Sequence, residues 1–487
     1  MTTSPEVGAD LNHATHSSQS KGSYSLITLG CPKNLVDSER MLGLLNLDGY
    51  DFTPQPEGAD FVIVNTCGFL AAAREESLAA IREMEQLKRE GRLRGIIVAG
   101  CMVERQRESL LSKCPGIDQL VGVFGRDEIT QAADWLIGGL NEQRTIFRPA
   151  SSVPLSDTNR MRITPNHLAY LKIAEGCDRL CTFCSIPLMR GKHASKSVDQ
   201  VVTEARQLAA DGARELNLVA QDLTYYGIDL DGRPQLAKLL GRLEQVDGVD
   251  WIRLMYLYPM YMTDELIDLV ARSPKVLPYL DIPLQHINDA MLRRMSRRVN
   301  RAEIERLLEQ LRERIEGLVL RTTMIVGFPG ETEEQFEELV DFVRRQRFER
   351  LGVFAYSREP DTPSDRLNGH LPEEVREARR GRLLEVQQEI AFAWNQSQIG
   401  RQRDVLIDSD IPGEKHAHVG RSCAEAPEID GVIYVTGENL RPGDLVPCEI
   451  VAAEGYDLVA VAVGEPKPRT CSPAPSSKDS LLNVLPP

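Results

Sequence analysis

A chain of 487 residues is too long for one hydrophobic core and predicts two to four domains. Its 42% hydrophobic and 26% charged residues are those of an ordinary globular protein, and no apolar run reaches the roughly 18–20 residues of a membrane helix, which excludes a helical membrane protein. A net charge of −15 argues against a general polyanion binder, because nonspecific nucleic-acid affinity comes from Lys and Arg meeting phosphates.

Residues 1–23 have neither the basic start nor the apolar core of an export signal, and read as a disordered tail. A cytoplasmic protein is expected. Its ten cysteines would then be held reduced, and clustered thiols point to metal or redox chemistry before disulfides. Residues 24–150 alternate short apolar runs with helical patterns. SLITLG (25–30), FVIVN (61–65), GIIVAG (95–100) and DQLVGV (118–123) read as strands, and residues 71–90 as an amphipathic helix. This order predicts an α/β domain with a parallel sheet. Residues 151–165 have turn chemistry and little periodicity, which marks a linker.

Between residues 166 and 395 a second α/β series supplies six strand candidates: LAYLKIA, ELNLVA, WIRLMYL, YLDIPL, LRTTMIVG and LGVFAYS. Six βα units suggest a partial (β/α)6 barrel, since full closure takes eight. A long helix from about residue 372 to 395 ends it. Residues 396–468 change to short β-rich runs spaced by Gly, Pro and Asp, the pattern of a small antiparallel β-barrel. Residues 469–487 read as a second disordered tail.

GCDRLCTFC places Cys177, Cys181 and Cys184 in C-x3-C-x2-C spacing directly after the first barrel strand. Such a loop lies at the C-terminal face of the strands, where barrel enzymes keep their sites. Three thiolates suit iron–sulfur ligation, but a four-iron cluster normally takes four, so three leave one iron open. The competing reading is a zinc knot, which would need a fourth ligand; His193 is the nearest candidate. Cys31, Cys67 and Cys101 follow three apolar strands, in TLGC, VNTC and VAGC. Parallel strands end on one edge, so these thiols can converge where doubly wound folds bind ligands. Buried cysteines acting as small hydrophobes are the bland alternative. Cys114, Cys423, Cys448 and Cys471 show no such register.

The C-x3-C-x2-C motif, with Phe183 before its third cysteine, resembles the radical S-adenosylmethionine (SAM) superfamily. Together with the three strand-end cysteines and the C-terminal barrel, the chain resembles the radical-SAM methylthiotransferase family from about residue 24 to 467. The resemblance implies a [4Fe-4S] cluster on Cys177, Cys181 and Cys184 whose open iron chelates SAM, and an auxiliary [4Fe-4S] cluster on Cys31, Cys67 and Cys101 that holds the sulfur to be inserted. One SAM would give the methyl group and another the radical. It also places Gly327, Phe328, Pro329 and Gly330, of MIVGFPGET, beside SAM, and Gln221 and Asp222 where the superfamily often meets the SAM amino group. The same GFPGET segment reads equally as a strand-to-helix turn with an acidic helix start. Arg190 and His286 stand near these elements, and their roles stay open.

The family divides by acceptor into tRNA enzymes and a class acting on a ribosomal protein. The barrel resembles a TRAM domain, which in tRNA enzymes binds nucleic acid. Here residues 397–467 hold 6 Lys plus Arg against 13 Asp plus Glu, a net of −7, which suits a basic protein better than phosphates. GCPKNLVDSE and YLDIPLQH also resemble the protein-modifying class, the tRNA enzymes typically having Gln-Met-Asn where this chain has Pro32, Lys33 and Asn34. That class implies methylthiolation of an aspartate β-carbon in protein twelve of the small ribosomal subunit, free or in the subunit, with a flavodoxin- or ferredoxin-like electron donor. The alternatives are a tRNA adenosine acceptor and, outside catalysis, an iron–sulfur electron carrier or sensor.

Overall fold

The apolar runs FVIVN and GIIVAG form strands buried at every position, as a parallel sheet covered on both faces requires. In the computed structural model, which describes residues 20–139 and 144–468, β1 (Ser23–Thr28), β2 (Asp51–Phe52), β3 (Phe61–Thr66), β4 (Gly95–Gly100), β5 (Gln119–Val121) and β6 (Arg144–Ile146) form one parallel sheet. Its order is β2-β1-β3-β4-β5-β6. The edge strands β2 and β6 have two and three residues, too few for any periodicity to register in the sequence. Val62, Val64 and Val98 face one core, while Phe61, Ile63 and Ile97 face the other. The strand order reverses between β1 and β3, the crevice where open α/β sheets bind ligands.

The central domain has the six expected strands: β7 (Leu168–Lys172), β10 (Glu215–Val219), β11 (Trp251–Leu254), β12 (Val276–Asp281), β13 (Val319–Val326) and β14 (Arg350–Ala355). They pair in parallel and in chain order, and the end strands β7 and β14 do not meet. The barrel is therefore partial. Both open edges are covered, β7 by helix Pro32–Leu47 of the N-terminal domain and β14 by helix Glu373–Gln396. A short ribbon of β8 (Ala174–Glu175) and β9 (Ala194–Ser195) brackets the C-x3-C-x2-C loop.

The C-terminal strands β15 (Gln402–Asp410), β16 (Ala417–Arg421), β17 (Ile433–Thr436), β18 (Leu445–Glu454) and β19 (Asp457–Ala462) close into a barrel. Four of its contacts are antiparallel as expected, and β17–β19 is parallel. Parity demands this: five strands in a closed ring cannot alternate direction all the way round. Leu406, Ala424 and Leu445 of this domain join Tyr170, Trp251 and Tyr279 of the half-barrel in one apolar cluster, which also takes in Val36 of the N-terminal domain. Arg421 bonds Glu215 and Asp408, tying the two domains by ion pairs as well.

The linker has no helix or strand between β6 and β7, yet it is not a solvated tether. Asp157 is buried and pairs with Arg126 of the N-terminal domain and Lys196 of the central one. Residues 1–19 and 469–487, with Cys471, lie outside the described residues. No helix among the described residues is long and apolar enough to cross a membrane.

Candidate active site

The C-terminal edge of the N-terminal sheet meets the C-terminal face of the half-barrel, and a cavity of about 480 Å³ lies between them. All six cysteines of the two trios line it. Cys114, Cys423 and Cys448 do not; Cys448 packs inside the small barrel.

In the N-terminal trio, Cys67 follows β3 and Cys101 follows β4 directly, whereas Leu29 and Gly30 separate Cys31 from β1. The strand ends crowd together. A Cβ on Gly30 would stand 2.8 Å from Cys67 Cβ, and Gly30 has φ +91°, so two constraints demand glycine there. Cys31 is the N-cap residue of helix Pro32–Leu47. Burial opposes its ionisation, but Lys33, Arg190 and the backbone N–H groups of Asn34 and Lys33 outweigh it, and the thiol lies below its ordinary value. Burial raises Cys67, and pushes Cys101 up to about 12. In the second trio, burial likewise pushes Cys177 and Cys184 up to about 12, with the neighbouring thiols adding to it. Thiols so desolvated ionise only beside strong positive charge, which bound iron supplies.

The donor set fits a cluster with an open iron on each trio, because three thiols per trio reach the cavity and no other cysteine among the described residues does. It does not fit the zinc alternative. His193 is off the cavity wall and bonds Ser195, so it does not supply the fourth ligand that a zinc knot needs. The wall also fits a polar cofactor. Gln221 Oε1, Gln285 Oε1, Arg179 Nη2 and Arg297 Nε are buried there with no partner among the described residues, and buried polar atoms need a ligand or water.

Arg190, whose role the sequence left open, joins the two halves. It is 1% exposed. Its Nη1 donates to Glu175 Oε1 at 2.9 Å, its Nη2 to Asn34 Oδ1 at 2.6 Å and Asp37 Oδ2 at 2.9 Å, and its Nε to Cys101 Sγ at 3.2 Å. Lys172 bonds both Asp37 and Glu175, and Arg126 bonds Asp37. Burial works against these charges, yet the opposite charges around them hold Asp37 and Glu175 below the ordinary carboxylate range.

Of the expected SAM contacts, Gln221 is on the cavity wall, donating its Nε2 to Glu175 Oε1 at 3.1 Å. Asp222 is buried beside the wall, accepting from Arg179 Nε at 2.7 Å and from Thr224 Oγ1 at 2.6 Å. Gly327 to Gly330 are not on the wall; Gly327 and Gly330 have φ +71° and +82° and fit closely against the protein's own Arg376 and Arg294. Phe328 reaches the cluster loop through an edge contact with Phe183 at 6.4 Å. His286 is fully buried: its Nδ1 accepts from Asn288 N–H, so its Nε2 carries the proton and donates to Glu331 Oε1 at 3.0 Å. Glu331 in turn accepts from Gly327 N–H. His286 thus props the GFPG turn.

Sequence reasoning missed Gln285, Arg179, Arg297, Tyr256 and Tyr258 on the wall. Gln285 had a signal, since it stands just past a barrel strand beside the His286 that was noticed. The Arg179 guanidinium lies 4.2 Å over the Tyr258 ring, a contact between distant segments that no local pattern announces.

A half-barrel of six parallel strands with a C-x3-C-x2-C loop at its C-terminal face defines a radical-SAM enzyme. Residues 171–343 match the Radical SAM superfamily, residues 23–122 the family described as Uncharacterized protein family UPF0004, and residues 399–463 the TRAM domain. The chain is 48% identical over 464 residues to the ribosomal protein uS12 methylthiotransferase RimO of Symbiobacterium thermophilum, covering 94% of each chain. It is 44% identical to the protein of the same name from Myxococcus xanthus, over 92% of this chain and 93% of that one. Among solved structures, the radical S-adenosylmethionine methyltransferase TsrM from Kitasatospora setae, with cobalamin and a [4Fe-4S] cluster bound, superposes with a TM-score of 0.50 at 16% identity, covering 71% of this chain and 74% of that one. The chain belongs to the RimO family of ribosomal protein uS12 methylthiotransferases.

Proposed function

We propose that this chain methylthiolates the β-carbon of an aspartate in ribosomal protein uS12, using SAM and two [4Fe-4S] clusters. One observation carries the reading: two cysteine trios, from two domains, line a single cavity. Cys177, Cys181 and Cys184 would hold the SAM-binding cluster, and Cys31, Cys67 and Cys101 the auxiliary one. When bound, these groups supply the reducing electron, the carbon-centred radical from SAM and the methylated sulfur. The protein's own residues bind, orient and keep water out. Gln221 and Gln285 offer free amide oxygens to the N–H groups of the SAM amino group, and Asp222 fixes Arg179 at the wall. Gly327 to Gly330, propped by His286 and Glu331, back the loop that carries Phe183. Phe69, Leu70, Phe183 and Ile186 give the cavity apolar walls, which protect a radical from solvent.

The proposed domains are residues 24–150 with the auxiliary trio, 166–395 with the radical-SAM core and 396–468 with the TRAM-like barrel, joined by 151–165. A flavodoxin- or ferredoxin-like protein is the proposed electron donor, in the cytoplasm and without membrane attachment. The reduced protein, SAM, uS12 and tRNA are incubated together and both acceptors are analysed by mass spectrometry. A methylthio group on the aspartate of uS12 is the expected result; one on tRNA alone overturns the acceptor, and failure to cleave SAM overturns the enzyme.

A further inference from the structure

Four cationic side chains line the cavity, and two of them are paired with carboxylates. Arg190 is held by Glu175 and Asp37. Arg179 is paired with Asp222. Arg297 belongs to the other trio, donating to Pro283 O and lying 3.7 Å from Cys181 Sγ. The fourth is Lys33. It is 6% exposed and favours ionisation of the neighbouring Cys31 thiol, but among the described residues it forms no salt bridge with a carboxylate. Its Nζ has a single long hydrogen bond, 3.4 Å to Ala220 O, and otherwise lies 3.6 Å over the face of the Tyr256 ring. An ammonium has three protons to donate, and desolvating it beside an aromatic face and one carbonyl is costly. Such a group is kept where an anion is to arrive.

We propose that Lys33 seats the side-chain carboxylate of the acceptor aspartate, and so selects the acceptor and places its reacting carbon. The inference rests on the aspartate acceptor proposed above. Its geometry follows from the chemistry of aspartate: the β-carbon is one bond from the carboxylate, so the group that fixes the carboxylate also fixes the carbon. Lys33 is two residues from Cys31, at the start of the helix that Cys31 caps. A carboxylate held at its Nζ brings the β-carbon to the side of the cavity with the Cys31, Cys67 and Cys101 trio, where sulfur insertion must occur. The Tyr256 ring, held at φ +64° just after β11, keeps the ammonium from swinging away. Lys33 is a positioning residue for the acceptor, with no proton to move in the reaction.

The test crosses the enzyme with its substrate. Wild-type holoenzyme, Lys33→Met and Lys33→Gln are assayed against two uS12 peptides, one with the acceptor aspartate and one with asparagine in its place. Binding is read by fluorescence anisotropy, turnover as KM and kcat separately, and the clusters by iron content and electron paramagnetic resonance. Wild type is expected to bind the aspartate peptide roughly 10- to 100-fold more tightly than the asparagine peptide, as a charge-assisted hydrogen bond gives. Both variants should lose that preference while keeping their iron and cluster spectra. A variant that keeps the preference overturns the proposal. So does equal weakening on both peptides with altered clusters, which would make Lys33 a partner of the cluster. If wild type neither binds nor modifies the aspartate peptide but modifies tRNA, the acceptor reading itself falls and takes the proposal with it.

Discussion

Replacing Arg190 by Met tests whether the two halves of the cavity are held by charge balance. Eight buried groups form one network: Asp37, Asp157, Glu175 and Glu204 against Arg126, Lys172, Arg190 and Lys196. Four negative charges face four positive ones. Arg190→Met leaves four carboxylates with three cations, and an uncompensated buried charge costs about 3–5 kcal/mol. At about 2–4 °C per kcal/mol for a domain of this size, the loss at the lower end is a fall in Tm of roughly 6–12 °C. Adding Glu175→Gln removes one negative charge and restores the balance. The double variant should therefore be more stable than Arg190→Met alone, recovering about 2 kcal/mol of coupling. Thermal unfolding of the anaerobically purified proteins is followed by circular dichroism, with iron measured in parallel because Arg190 Nε touches Cys101 Sγ. If the double variant melts below Arg190→Met by as much as Glu175→Gln alone lowers the wild type, the two losses are additive and the charge-balance argument is wrong.

Replacing Cys31, Cys67 and Cys101 together by Ala should leave about half the iron and retain SAM cleavage, but abolish sulfur insertion; full iron content would disprove the ligand assignment. Gln285→Ala should raise the KM for SAM roughly tenfold, the loss of one buried hydrogen bond, and a KM within twofold of wild type would remove Gln285 from the SAM site. Asp408, held by Arg421 and His167 against the cost of burial, titrates at about 2, below its ordinary 3.8. Its contribution, about 2 kcal/mol, is complete above the unfolded value near 4 and is lost as pH falls through 2. The stability gap between wild type and Asp408→Asn should thus be full at pH 7 and close below about pH 4, and a gap independent of pH would refute the assignment.

Much of this fold was legible because burial leaves a mark on composition. Strands β3 and β4, buried at every position, had to be mainly apolar, and the six half-barrel strands announced themselves by short runs rich in apolar residues. The short edges β2 and β6 and the parallel β17–β19 pair left no such mark, being decided by pairing rather than by side chains. Charge was legible only as a total. The −7 of the C-terminal barrel counts Glu425 and Asp408 as surface acids, but Glu425 pairs with Arg350 of the half-barrel and Asp408 with the buried Arg421 and His167. Part of the charge that a sequence count assigns to a docking surface is spent inside the fold.

The two trios differ in how much fold each needs. Cys177, Cys181 and Cys184 come from one loop, which a ribbon of β8 and β9 closes at its base. Cys31, Cys67 and Cys101 come from three strand ends, and only the paired sheet brings them together. A site that the unfolded chain cannot form ties its metal affinity to folding, so whatever binds the N-terminal trio stabilises the whole sheet. Arg190 extends that coupling across the cavity, since it bonds Cys101 on one side and Glu175 on the other. Glu175 in turn bonds Gln221 on the cavity wall. A contiguous chain of hydrogen bonds therefore runs from the Cys101 sulfur to the Gln221 amide of the other half, whose Oε1 stays open to the cavity.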